Sequence, residues 1–329
     1  MLTLQDHRSD VCSLAYSPTS RTLASGGADK TVRLWDLTTR QTTAILKGHR
    51  TYVHAVAFSP DGKVLASAAG DLYLRDPATG AVAIARQETG RPVAGLSFSA
   101  DGRLLVTVDR RLGGANSILA GDMQFWDTAT AAALLAANPL PRRKGETAIP
   151  PAERLRQSDL GGFLYGHRHH LGAWSVALDP TGMFQAVGTD YRGVLLWDLH
   201  SSSLPTRLNT AAAVRALAFT SDGRLLAAAE ASRIQVWDGR TGQSVAVLKG
   251  HEKQVWSIAF APHSTAERAT LFSGSQDGTV RVWDVNPPRE RAVFSWQIGA
   301  VRAVAAAPDG MTAAAAGENG SVIVWDCDE

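Results

Sequence analysis

The sequence predicts an all-β chain, seven small antiparallel sheets arranged in a closed ring, and three observations predict it. First, a Trp-Asp pair ends a short β-branched run six times: Trp35-Asp36, Trp126-Asp127, Trp197-Asp198, Trp237-Asp238, Trp283-Asp284 and Trp325-Asp326. Arg75-Asp76 fills a seventh slot. Second, the slots recur 40, 40, 42 and 46 residues apart, with longer gaps of 51 and 71 on either side of the third unit. Third, the same turn signals stand between them, such as Ser59-Pro60-Asp61-Gly62 and Gln276-Asp277-Gly278. A period of about 40–45 residues with Trp-Asp at its end is the signature of one four-stranded blade of a β-propeller.

Each unit reads in the same order. A first strand resembles Val11-Cys12-Ser13-Leu14-Ala15-Tyr16, and a Ser-Pro-Asp-Gly turn follows a strand of this kind in the second unit. Pro presets φ, Asp bonds its own backbone and Gly takes positive φ, so the turn has a mechanism. A second strand such as Val64-Leu65-Ala66-Ser67 leads to a tight Asp hairpin, and the third strand ends in Trp-Asp. A fourth, such as Ala44-Ile45-Leu46, runs into Gly48-His49. Period-2 alternation, β-branched residues and Gly/Asp/Pro punctuation are strand and hairpin signals. Setting aside roughly 40 inserted residues leaves about 41 for each of seven units, an ordinary blade length.

These residues resemble the WD-repeat β-propeller family over nearly the whole chain. The resemblance implies one seven-bladed propeller spanning residues 1–329. The first residues, Leu2-Thr3-Leu4-Gln5-Asp6-His7, match the fourth-strand pattern of Ala246-Val247-Leu248-Lys249-Gly250-His251, and no fourth strand follows Trp325-Asp326. The N-terminal strand is therefore expected to complete the last blade and remove the open edge.

Composition excludes several classes. Hydrophobic residues make up 45% and charged residues 19%, and the net charge is +2, so no global field favours nucleic acid or a membrane surface. No apolar stretch has the ~18 residues of a spanning helix. The first residues lack the basic head and apolar core of a secretory signal. Cys12 and Cys327 are the two cysteines, expected on opposite faces and unbridged, which suits a reducing, cytoplasmic setting. Arg outnumbers Lys 27 to 6 and Ala is abundant, a bias that points to a GC-rich bacterial genome.

The resemblance also implies a hydrogen-bonded network within a blade: the Gly-His histidine, a Ser/Thr of the second strand, the hairpin Asp and the Trp indole. Blade one carries His7, Ser25, Asp29 and Trp35, and blade six carries His251, Ser273, Asp277 and Trp283. Blade two has His49, Ser67 and Asp71 with Arg75 in the Trp slot, and blade four keeps His167, Asp190 and Trp197. Blades three, five and seven lack the His, and Asn319 replaces the Asp of blade seven. A Ser-His-Asp set that repeats from blade to blade reads as structural, because a nucleophile does not repeat. No Gly-x-Ser-x-Gly elbow, P-loop or His-Glu-x-x-His motif is present. The run His167-Arg168-His169-His170 has no Cys or carboxylate at ligand spacing, so a solvated loop is preferred to a metal site, and no cofactor is expected.

One repeat position carries unusual side chains. The second residue of the inner strand reads Cys12, His54, Ala94, Trp174, Arg215, Trp256 and Arg302 around the seven blades. In the family fold it lies at the top-face mouth of the central channel. Trp and Arg are enriched anchors of interfaces. Trp296, near the end of an outer strand, is expected to pack. Two insertions, about residues 109–121 and 138–164, should rise from the same face, and the second carries Arg142, Arg143, Arg154 and Arg156 with signals for one short helix. The functional expectation is a non-catalytic scaffold, a monomeric ring or a subunit of a complex. It would bind a protein or peptide partner through His54, Trp174, Arg215, Trp256 and Arg302, flanked by the insertion arginines. Arg suits acidic or phosphorylated segments because its planar fork pairs bidentately. The alternative is a hydrolase- or lyase-type enzyme at the channel mouth, against which the ring position counts one His, one Cys and no carboxylate.

Overall fold

The computed structural model describes residues 1–87, 93–109, 123–128, 173–190, 193–201 and 204–327. They form a seven-bladed β-propeller of antiparallel blades, six with four strands and blade three with three strands among the described residues. The inner strands are Val11–Tyr16, Ala55–Phe58, Val93–Phe98, Ala173–Leu178, Val214–Phe219, Val255–Phe260 and Val301–Ala306. Each touches the next in that order, and the last touches the first, so the ring is closed.

Closure is made by the N-terminus. Strand Leu2–Gln5 pairs antiparallel with Ser321–Asp326, with Leu2 opposite Val324 and Gln5 opposite Ser321. Gln5 Nε2 donates to Ser321 Oγ at 2.9 Å, and Leu4 is 3% exposed, packed on Val11, Leu14, Leu23 and Trp35 of blade one. The chain thus uses one strand both to finish blade seven and to glue it to blade one.

There is no single central core. Seven apolar clusters form, one in each seam between neighbouring blades. Blades one and two, for example, share Ala24, Val32, Leu34, Leu46, Val53, Val56, Phe58 and Leu65. Period-2 alternation creates this pattern, because each strand sends alternate side chains to opposite faces of its blade. Fully burying one Val or Leu contributes roughly 1.5–3 kcal/mol, so every seam stabilises both blades it joins. The Trp slot has a constant register: Trp35 faces Leu23, Trp237 faces Leu226 and Trp283 faces Leu271, while Arg75 faces Leu65. Close approach between blades explains Gly26 and Gly274, where a Cβ would meet a methyl of Val53 and of Val301, respectively, in the next blade at 2.6 Å.

The turns form as their residues dictate. In Ser59-Pro60-Asp61-Gly62, Gly62 has φ of 71°, and Asp61 accepts bonds from Ser59 Oγ (2.6 Å) and Lys63 N (3.1 Å). Apart from Asp109, the two predicted insertions lie outside the described residues, as do Arg142, Arg143, Arg154, Arg156, the expected short helix and the His167-Arg168-His169-His170 run.

Candidate functional site at the channel mouth

Hydrogen-bonded networks tie the strands and hairpins of single blades together. In blade one, Trp35 Nε1 donates to Ser25 Oγ (2.8 Å), His7 Nε2 lies 2.7 Å from the same oxygen, and His7 Nδ1 lies 3.0 Å from Asp29. Blade six repeats this with Trp283, Ser273, His251 and Asp277 at 2.8, 2.7 and 2.8 Å. The chemistry sets the proton positions. The indole can only donate, so the Ser hydroxyl proton goes to His Nε2, and Nδ1–H donates to the carboxylate. Burial pushes the His7 and His251 pKa values down despite the neighbouring carboxylates, so both rings are neutral. Burial raises the Asp277 pKa, but bonds from Thr279, His251 and the Glu252 backbone outweigh it and hold the carboxyl at about 2.

The other blades improvise. Blade three substitutes Thr107, whose Oγ1 accepts from Trp126 Nε1 at 3.1 Å. In blade two, Arg75 is 2% exposed, stacks 4.4 Å from the Tyr73 ring and donates to Lys47 O at 2.7 Å. Blade seven, without His or Ser, covers Trp325 with Trp296 at 5.0 Å between ring centroids, and Trp296 stacks on Phe294 at 5.2 Å. In blade five the fully buried Glu230 accepts bonds from the Ala211 and Ala212 backbone and from Arg233.

A β-bulge presents the mouth residues. In six blades the inner-to-second-strand register slips at one residue: Cys12, Ala94, Trp174, Arg215, Trp256 and Arg302 are the extra residues. His54 holds the equivalent place, its N–H bonded to Ala68 O, with Tyr52 6.4 Å away between ring centroids. A bulge leaves one residue outside the ladder and re-aims its side chain. All seven side chains are half-buried.

Four of these residues, from consecutive blades, stack into a ladder. Arg215 Cζ lies 3.5 Å from the Trp174 ring centroid and 5.5 Å from that of Trp256, and Arg302 Cζ lies 4.9 Å from Trp256 on its other neighbour. Each such contact contributes about 0.5–1 kcal/mol at an exposed site and holds the guanidinium in place. Acids close both ends. Trp174 Nε1 donates to Asp190, and Arg302 Nη2 donates to Glu318 at 2.6 Å with Asp10 3.6 Å away. The Arg planes are thus covered by indoles, and the Arg302 fork meets Glu318 through Nη2.

Asp190 accepts from Trp174 Nε1, and His167, with which the resemblance groups Asp190, lies outside the described residues. The carboxylates beside the mouth were missed by reading the ring position alone. A signal existed: Asp190 and Glu318 occupy one repeat position, the residue after the second strand, opposite Trp174 and Arg302. Burial, then Asp10, pushes the Cys12 thiol up to about 11, which disfavours its thiolate at neutral pH. No metal-type group of three His, Cys, Asp or Glu occurs among the described residues. No helix among them is long and apolar enough to cross a membrane.

Comparison with known proteins follows the same repeats. The family model "WD domain, G-beta repeat" matches residues 1–36, 40–75, 203–238, 242–284 and 291–326, more than half of the chain. The rice protein "Small ribosomal subunit protein RACK1y" is 32% identical over 126 residues, 37% of this chain and 37% of that protein. "Ribosome biogenesis protein ytm1" of Neurospora crassa is 31% identical over 199 residues, 55% of this chain and 39% of that protein. The protein of the same name in Aspergillus terreus is 41% identical over 93 residues, 27% of this chain and 19% of that protein. The chain thus spans less than two-fifths of the length of each of these relatives. They come from a plant and two fungi, and nothing among them supports the bacterial origin that the Arg and Ala bias suggests. On the repeat matches and the seven blades together, the chain belongs to the WD-repeat family.

Proposed function

We propose that the chain is a non-catalytic interaction scaffold that takes a protein or peptide segment across the channel mouth. The observation that carries this reading is the half-exposed Trp174–Arg215–Trp256–Arg302 ladder, set on bulges of four consecutive inner strands. Two aromatic planes and two guanidinium edges, pre-stacked, lose little side-chain entropy on binding. His54 belongs to the same proposed contact set, as do Arg142, Arg143, Arg154 and Arg156, which lie outside the described residues. An acidic or phosphorylated segment fits best, because guanidinium edges pair with planar or tetrahedral anions.

The non-catalytic reading is supported by the repetition of the His-Ser-Asp set from blade to blade and by carboxylates already bonded to Trp174 and Arg302. Relatives named for the small ribosomal subunit and for ribosome biogenesis support a place inside a larger assembly; a single ring and a cytoplasmic setting belong to the same proposal. The test compares partners recovered by affinity purification with the parent chain and with the Trp256→Ala, Arg302→Ala double variant. Loss of one or more partners from a folded double variant is expected. Equal recovery of every partner removes the mouth as the site.

A further inference from the structure

We infer that Glu318 is a built-in competitor for the anion received at the mouth, and that it biases the site toward phosphorylated over merely acidic segments. This rests on the reading of the mouth as a partner site and specifies its regulation. Arg302 is the rung whose fork meets a carboxylate of its own blade: Nη2 donates to Glu318 Oε1 at 2.6 Å. Glu318 is anchored for that task. Its Oε2 accepts from Ala300 N at 3.3 Å. It lies over Gly299, where a Cβ would stand 3.1 Å from the Glu318 Cβ, at a φ of 74°. Asp10, across the seam in blade one, adds a second negative charge 3.6 Å from the same nitrogen.

The clamp is monodentate. Glu318 spends its second oxygen on the backbone, and Arg302 Nε stays buried with no acceptor. Beside it, Trp256 Nε1 is also buried with no acceptor, on a ring whose centroid is 4.9 Å from Arg302 Cζ. Buried donors of this kind are rare in folded proteins and mark a place where an acceptor is wanted. A ligand carboxylate offers Nη2 what Glu318 already offers, and Glu318 is tethered, with an effective concentration on the order of millimolar or higher. A phosphomonoester carries about −1.5 to −2 charges and three acceptor oxygens, so it displaces Glu318 and fills the fork bidentately.

The probes are three degenerate heptapeptide libraries with a central phosphoserine, glutamate or serine, titrated onto the full chain. The parent chain is expected to hold the phosphoserine library most tightly. Glu318→Gln is expected to tighten the glutamate library about fivefold, the order of one half-exposed ion pair, and to narrow the preference for phosphoserine. Asp10→Asn gives a smaller shift in the same direction and covers the case in which Glu318→Gln lowers stability. Glu252→Gln, at an exposed carboxylate beside the Asp277 hairpin with no ion pair to Arg302, leaves all three affinities unchanged and excludes a general charge effect. If Arg302→Ala weakens binding while Glu318→Gln and Asp10→Asn change nothing, the competitor is refuted and the mouth survives. If Arg302→Ala and Trp256→Ala change nothing, or no library binds, both fail.

Discussion

Deleting residues 1–7 should cost the ring most of its stability. Leu4 is 3% exposed and packs on Val11, Leu14, Leu23 and Trp35, so its removal resembles a large-to-small core change of about 2–5 kcal/mol. His7 takes with it two bonds, to Ser25 and Asp29, each of roughly 1 kcal/mol, and leaves both groups with one partner fewer. The edge of Ser321–Asp326 is exposed as well. The total, about 4–7 kcal/mol, is comparable with the 5–15 kcal/mol that holds a typical domain together. Urea unfolding followed by Trp fluorescence measures it, and hydrogen exchange at Ser321–Asp326 localises it. The expected result is loss of the cooperative transition or a large drop in its midpoint. A truncated chain that unfolds within about 0.5 kcal/mol of the parent, inside the usual scatter of surface changes, would refute the view that this strand closes the ring.

Ser273→Ala should cost about 2–3 kcal/mol, because the Ser273 oxygen serves both Trp283 and His251 and its loss strands two buried groups. The exposed Ser295→Ala is the control, expected within about 0.5 kcal/mol of the parent by urea unfolding. Arg75→Trp should raise stability by about 1 kcal/mol. It removes a buried guanidinium whose Nε has no acceptor and brings an indole N–H toward Ser67, as in blades one and six; a lower urea midpoint would contradict the register argument. Stability should also fall as the solution is acidified. His7 and His251 have folded pKa values below 6.5, so the unfolded chain binds protons first; their contribution is complete above pH 6.5 and is lost as pH drops through the lowered values. Unfolding free energies measured between pH 7.5 and 5 should decline, and the His7→Gln, His251→Gln pair should flatten that decline.

Much of the fold was legible because it is local. Ser59-Pro60-Asp61-Gly62 forms its turn from its own side chains, and alternation along Val11–Tyr16 or Ser244–Lys249 decides which residues enter a seam. The N-terminal strand was legible too, since Leu2-Thr3-Leu4 repeats a fourth-strand pattern at the wrong end of the chain. The mouth was half legible. Its Trp and Arg stood out at one repeat position, whereas Asp190 and Glu318 did not, because their meaning depends on a hairpin folding back over the bulge.

The sequence by itself determined the number of blades, the strand order within each and the side chains offered at the mouth. Those follow from period, turn chemistry and repeat spacing, all of which act over a few tens of residues. Only the tertiary structure decided that Trp174, Arg215, Trp256 and Arg302 stack as one ladder, that Asp10 reaches Arg302 across a seam, and that Trp296 shields Trp325. These pairs join different blades or fill local vacancies, and no spacing along the chain encodes how closely neighbouring blades approach.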